Sequence, residues 1–333
     1  MPQARDAHTQ QSGSPWSLKR IARLLMALGV LTALFTQVSF GEVAATVAGA
    51  RPVPLLAALG LTLISQWGMA WRLRLLTDAH GIKLTTLQLL EINLVAQFYG
   101  LFLPGGSFMV LALRFFKLAR AQQDAAAAGT SLLIDRILAT LALCFVGATF
   151  WLLERPRGSI FVVSAMAAVF IATLALAHVM LARKPSQIVR KVRDLTGSLA
   201  FGKLVKVDAA IANLRSLSAR AFAVAISTSV AIHLIGIIVF YLTAAAVGVA
   251  PSFVSLGWIR SAMILVTMLP ISIAGLGVRE AASLVLLAPY DVSGEQAVAF
   301  SLLVFSITGL FPGLLGGVVG ASRFISGPVS RPE

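Results

Sequence analysis

Residues 84–118 read LTTLQLLEINLVAQFYGLFLPGGSFMVLALRFFKL, an apolar stretch broken near its middle at FLPGG, Phe102 to Gly106. Proline has no backbone N–H and fixes φ, and paired glycines lack the side chains that favour a helix, so Pro104, Gly105 and Gly106 break the helix there. A second stretch has the same form. Residues 253–288, FVSLGWIRSAMILVTMLPISIAGLGVREAASLVLLA, are interrupted at LPISIAGLG, Leu269 to Gly277, with Pro270, Gly275 and Gly277 as the breaking residues. Both are broken helices, and the path of the whole chain depends on which side each one enters from.

Around them lie continuous apolar runs at residues 21–40, 53–71, 130–153, 159–182, 221–246 and 296–321. A run of about twenty residues at about 1.5 Å rise spans the roughly 30 Å hydrocarbon core of a bilayer. The composition agrees: 58% of the 333 residues are hydrophobic and 12% charged, whereas a soluble domain carries about a quarter charged residues. The expected fold is therefore all-α and polytopic, with six full transmembrane helices. The single cysteine, Cys144, lies inside an apolar run, which excludes an intramolecular disulfide and a cysteine-based metal site. Lys19, Arg20 and Arg23 followed by apolar residues to Phe40 have the layout of a secretory signal. The run is longer than an ordinary signal core and Glu42 follows it, so an uncleaved first helix fits better.

Loop charge orients these spans, because cytoplasmic loops are enriched in Lys and Arg. Residues 183–220 hold nine basic and two acidic residues, half of the formal net charge of +14. With the basic N-terminal tail they belong on the cytoplasmic side, so the charge is topogenic and no nucleic-acid partner is implied. The linkers 41–52, 247–257 and 288–295 are nearly uncharged or acidic and belong outside. Parity then requires residues 84–118 to return to the cytoplasmic side and residues 253–288 to the external side, as two opposed re-entrant hairpins. The unit of span two, hairpin and span three repeats upside down as span five, hairpin and span six. Inverted repeats with discontinuous helices are the usual build of membrane transporters, because irregular backbone at that depth must be buried in protein or line a cavity. The expected organisation is a polar cytoplasmic tail at 1–20, one transmembrane domain at 21–322 and a cytoplasmic tail at 323–333. Phe108, Leu111, Phe115 and Leu118 share a helical face opposite a basic stripe of Arg114, Lys117 and Arg120, a pattern suited to a headgroup boundary. A comparable stripe in the 183–220 loop either contacts anionic lipid or serves only to fix topology.

Ionisable side chains inside a membrane are costly and are site candidates by default. They are Glu91 with Asn93 and Gln97 in the first hairpin, Asp135 and Arg136 in span three, His178, His233, and Arg260, Arg279 and Glu280 in the second hairpin. Arg279 follows the glycine-rich break at a helix start, where it can hold a phosphate or pair internally with Glu91, Asp135 or Glu280. No second His or Cys stands at metal-ligand spacing, and there is no Walker A loop, GxSxG or HExxH motif. A transferase using Glu91 or Asp135 as acid or base is the enzymatic alternative.

AQFYGLFLPGG (Ala96 to Gly106) with Arg114, IDR (Ile134 to Arg136) and LPISIAGLGVRE (Leu269 to Glu280) resemble the lysylphosphatidylglycerol synthetase transmembrane-region family of flippase-like membrane proteins. The resemblance covers nearly the whole chain. It departs where the family carries a second glycine pair and an acidic residue, for which this chain has Phe108, Met109, Val110 and Leu111. In bifunctional members this region precedes a soluble aminoacyl transferase and translocates the product lipid. The resemblance thus implies translocation without the transferase: a phospholipid, a polyprenyl-linked sugar or a hopanoid-like lipid moved between leaflets of an inner membrane. By motif, Arg114, Asp135, Arg136, Arg279 and Glu280 would line the route, with no cofactor. A partner synthase or a homo-oligomer is compatible with this role.

Overall fold

The computed structural model describes residues 39–102, 107–122, 124–154, 160–181, 219–268 and 275–325. The expected first span (residues 21–40, all but its last two residues), the N-terminal tail, the basic loop up to residue 218, and the breaking residues Pro104, Gly105, Gly106 and Pro270 lie outside them. The described residues are helical, with no strand. In chain order the helices are α1 (Phe40–Ala48), α2 (Pro52–Ala79), α3 (Thr86–Phe102), α4 (Ser107–Gln122), α5 (Ala125–Glu154) and α6 (Ile160–Leu181). There follow α7 (Ala219–Ala246), α8 (Phe253–Thr267), α9 (Val278–Leu287), α10 (Gly294–Phe305) and α11 (Phe311–Ile325).

Among the described residues, four helical stretches are long and apolar enough to cross a membrane: Pro52–Ala79, Ala125–Glu154, Arg220–Ala246 and Gly294–Ser322. The first has 28 residues, about 42 Å at 1.5 Å per residue, more than the core requires. Pro52 opens α2 at a position where its missing N–H costs nothing. Ser252 and Ser293 cap α8 and α10 by accepting the N–H groups of Ser255 and Gln296. Helix α6 occupies the expected span 159–182 as one helix, with Ile160–Ala175 as its apolar stretch. The outer surface is apolar: Phe161, Val285 and Val318 are among the most exposed side chains, an arrangement stable only against hydrocarbon or another apolar surface.

In each of the two segments the described residues form two helices, α3 with α4 and α8 with α9, and the ends of the two segments lie at opposite ends of the bundle. Ile82 before α3 and Leu118 near the end of α4 share a cluster with Ala127 and Ala128 at the start of α5. At the other end, Glu154 closing α5 binds Ser255 and Trp258 at the start of α8 and Tyr290 just after α9. There too the Arg51 N–H donates to Ala246 O at 2.9 Å, joining two linkers that the charge pattern assigns to one side.

Helix pairing is reciprocal. Helix α2 packs along α7; α3 packs along α11, the end of the second unit, and α8 packs along α5, the end of the first. The α3–α11 contact is close because α11 presents glycines there: a Cβ on Gly316 would collide with the backbone of Leu94 and Val95, and one on Gly317 with the Phe98 ring. Without water to drive association, such close backbone approach is how membrane helices gain packing energy. Between α10 and α11 the chain makes a π turn over Ser306–Leu310. Its cause is Pro312, which has no N–H for the carbonyl of Thr308 four residues earlier. The Gln97 amide fills the vacancy, donating to Thr308 O at 3.2 Å, and accepts in turn from Gln66 Nε2 at 3.1 Å.

Candidate functional site

The helix arrangement brings the charged residues of α2, α4, α5 and α7 together. Arg72, seven residues before the end of α2, donates from Nε to Asp135 Oδ1 at 2.8 Å, and its Nη2 lies 2.7 Å from the same oxygen. Its Nη1 donates to Ser229 Oγ on α7 at 2.9 Å. All three residues are buried. The sequence reading ended span two at residue 71 and did not include Arg72 among the candidates; α2 instead runs eight residues further, and Arg72 turns inward while Arg74 stays half-exposed beside Asp78. The signal available was Asp135 itself, a buried carboxylate requiring a cation.

Arg114 belongs to the same group. The sequence placed it on an exposed basic stripe with Lys117 and Arg120. Those two are exposed, but Arg114 is half-buried, with Nε buried and without a hydrogen-bond partner. It lies within electrostatic reach of Asp135, Arg136 and Arg72. Arg136 is half-buried on α5 beside Asp135. Asn93, on α3, is buried with both amide atoms lacking a partner, and Glu91 is half-buried about half a turn away on the same helix. A buried amide left unpaired costs on the order of 1–3 kcal/mol, so it marks a place where a polar ligand or water would be welcome.

One turn along α7 from Ser229 stands His233. Its Nε2 lies 2.9 Å from the carbonyl of Ala139, which can only accept, so Nε2 carries the proton and Nδ1 accepts from Arg260 Nη1 at 3.2 Å. The Arg260 guanidinium lies 5.7 Å from the Phe240 ring centroid and occupies the space where Gly236 has no side chain. His233 lies within electrostatic reach of both Arg260 and Arg72. A polar chain thus runs from α4 through α2, α5 and α7 to α8.

Arg279 and Glu280 form a separate group. Arg279 Nη2 and Nε donate to Glu280 Oε1 at 2.7 and 3.1 Å, Nε also donates to Ser301 Oγ at 3.2 Å, and the guanidinium lies 4.2 Å from the Phe305 ring centroid. The second carboxylate oxygen of Glu280 accepts the Gly277 N–H at 2.7 Å. Gly275 and Gly277 have φ of 79° and 80°, a region closed to most side chains. The pair therefore fixes the turn from the break into α9. Of the two roles open to Arg279, the structure contains the internal pair with Glu280.

A cavity of about 490 Å³ lies between α6, α8 and α9, walled by Val162, Ala165, Ala262, Leu265, Ala282 and Val285 among others. Its wall is hydrocarbon, suited to an apolar chain rather than to a headgroup.

No curated protein matches this sequence. A family sequence model described as the lysylphosphatidylglycerol synthase TM region matches residues 20–316. With helices of membrane-crossing length, an apolar exterior and a match across nearly the whole chain, the protein belongs to the lysylphosphatidylglycerol synthase transmembrane-region family.

Proposed function

We propose that this protein translocates a lipid between leaflets, its headgroup passing along the buried polar chain while its hydrocarbon tails remain in apolar surroundings. The observation that carries this reading is the buried Arg72–Asp135–Ser229 cluster, with Arg114 and Arg136 beside it, inside helices whose outer faces are apolar. Ionisable groups at such depth are expensive and are expected where a polar substrate passes. The apolar cavity beside α8 and α9 offers room for a tail.

In the proposed topology six helices span an inner membrane, and α3–α4 and α8–α9 re-enter it from the cytoplasmic and external faces. Both termini are cytoplasmic. The opposite placement of the hairpin ends supports this, as does the meeting of Glu154, the 247–257 linker and Tyr290 at one end. Cys144 is buried, so single cysteines introduced at Ser198 and Glu295 can be labelled selectively in cells. The topology requires only the Glu295→Cys protein to react with an impermeant maleimide.

The function is tested with purified protein in liposomes carrying a fluorescent phospholipid, whose outer-leaflet fraction is destroyed by dithionite. Translocation lets the quenched fraction rise from about half toward completeness. A fraction equal to that of protein-free vesicles, for every lipid offered, overturns the proposal.

A further inference from the structure

The charge balance of the polar chain goes further than translocation and names the class of headgroup. Arg72, Arg114 and Arg136 cluster near the carboxylate of Asp135, whose Oδ1 is already engaged twice by Arg72, while Arg260 lies against His233 and Phe240. The other carboxylates of the described hairpin helices, Glu91 on α3 and Glu280 on α9, are engaged as well, Glu280 by Arg279. A cationic headgroup entering here would meet guanidinium groups and no free anion.

Two arginines stand out: Arg260 because its contacts are neutral, and Arg114 because its Nε stays unpaired although Asp135 lies within electrostatic reach. Arg260 has an imidazole nitrogen and an aromatic ring for company, and Gly236 lets its guanidinium lie flat against α7. Arg114 has a buried Nε with no partner and two further arginines nearby. A guanidinium held away from water without an anion is costly, and a planar fork of N–H donors matches phosphate oxygens better than any other common group. His233 adds to this: with its Nε2 proton committed to Ala139 O, its Nδ1 accepts from Arg260 Nη1 and holds the guanidinium in place without supplying a negative charge.

Their depths correspond. Arg260 lies seven residues into α8 from Phe253, and Arg114 eight residues from the end of α4 at Gln122, so each is about 10–12 Å along its helix from opposite ends of the bundle. Asp135, ten residues into α5, and His233, at the middle of α7, lie between them, and Arg72, seven residues from the end of α2, lies at a depth similar to that of Arg114.

We propose that the headgroup is an anionic one bearing phosphate, held by Arg114 on entry from one face and by Arg260, positioned by His233, on entry from the other. This rests on the translocation reading and deepens it. It also separates this chain from the aminoacylated, cationic lipid in its family's name: that lipid is disfavoured by the same arginines that hold its unmodified anionic precursor.

The test compares fluorescent phosphatidylglycerol, phosphatidylcholine and lysylphosphatidylglycerol in the same liposomes, with wild-type protein, Arg260→Gln and Arg260→Lys. The expected wild-type rate for phosphatidylglycerol exceeds the other two by about tenfold or more, the value of one charge-assisted hydrogen-bonded contact. Arg260→Gln removes most of that ratio, and Arg260→Lys, which keeps the charge without the fork, retains part of it. Retention of each lipid by the purified protein in native mass spectrometry reads the same preference without transport. Inorganic phosphate at millimolar concentration should leave the ratio intact; competition by phosphate would assign the site to the free ion and overturn the lipid assignment. Transport of all three lipids at equal rates, or a ratio unchanged in Arg260→Gln, overturns the anion proposal while leaving translocation standing. If wild-type protein moves no lipid, translocation itself fails.

Discussion

Arg72 and Asp135, 63 residues apart in sequence, meet at 2.7 Å in the interior of the bundle and tie α2 to α5, with Ser229 adding α7. Both side chains are nearly inaccessible, so removing one partner leaves the other charged and buried. Asp135→Asn should therefore destabilise the protein by about 3–5 kcal/mol, while the double change Arg72→Met with Asp135→Leu should recover most of the loss. Unfolding in detergent of wild type, Arg72→Met, Asp135→Leu and the double variant gives the coupling directly. A loss below about 1 kcal/mol in Asp135→Asn would show that the pair does not hold these helices together.

The contact between α3 and α11 makes a sharper steric prediction. A methyl group at Gly316 meets the Leu94 carbonyl and the Val95 nitrogen, backbone atoms that cannot rotate away, whereas at Gly320 it meets Val95 methyl carbons at 3.8 and 3.9 Å, an ordinary contact. Gly316→Ala should cost about 1–3 kcal/mol through forced separation of the helices, and Gly320→Ala should stay within about 0.5 kcal/mol. Thermal melting of the two variants in one detergent decides it; equal melting temperatures would contradict the packing.

The membrane class, the long apolar helices and the two broken segments could all be read from the sequence, because each depends on local composition: a run of apolar residues, or Pro and Gly within one. Asp135 and Arg136 were visible for the same reason, as charges in an apolar run. Arg72 was not. Hydropathy marks where a run weakens, at Arg72 and Arg74, but not which of the two faces inward, and that depends on an Asp from a helix far along the chain. Arg114 was misplaced for a related reason: helical periodicity groups it with Lys117 and Arg120, yet a spread of about 100° per residue leaves it at the edge of the stripe, where the neighbouring helix decides. The vacancy at Thr308 O follows from Pro312 alone, but the Gln97 amide that fills it does not.

The turn into α9 depends on Gly277 and on Glu280, which accepts the Gly277 N–H with one oxygen and binds Arg279 with the other. At φ 80° and ψ −51° a side chain at position 277 is strained by about 1–3 kcal/mol. Gly277→Ala should lose that amount. Glu280→Gln should lose more, about 3–5 kcal/mol, because it leaves Arg279 buried without its anion. Chemical unfolding of both variants checks the order, and a Glu280→Gln protein as stable as wild type would mean that Arg279 finds another partner.

At the end of the bundle opposite the cluster of Ile82, Leu118 and Ala127, Tyr290 donates to Glu154 Oε1 at 2.8 Å, alongside Ser255 at 2.6 Å and the Trp258 indole on Oε2 at 2.7 Å. Burial, followed by the hydrogen bond to Glu154, pushes the Tyr290 phenol up from its ordinary 10.0 to about 12. A group whose pKa is raised on folding contributes stability that is complete below its unfolded pKa and vanishes as the pH passes its folded one. The advantage of wild type over Tyr290→Phe should thus be constant below pH about 10 and disappear by about 12, where two adjacent anions would replace the hydrogen bond. Melting temperatures of the two proteins from pH 8 to 12 measure this difference, with the lysine titrations common to both cancelling. A difference that grows with pH in that window would have the wrong sign for a protonated phenol donating to Glu154, and the clamp joining α5, α8 and the end of α9 would need a different chemical basis.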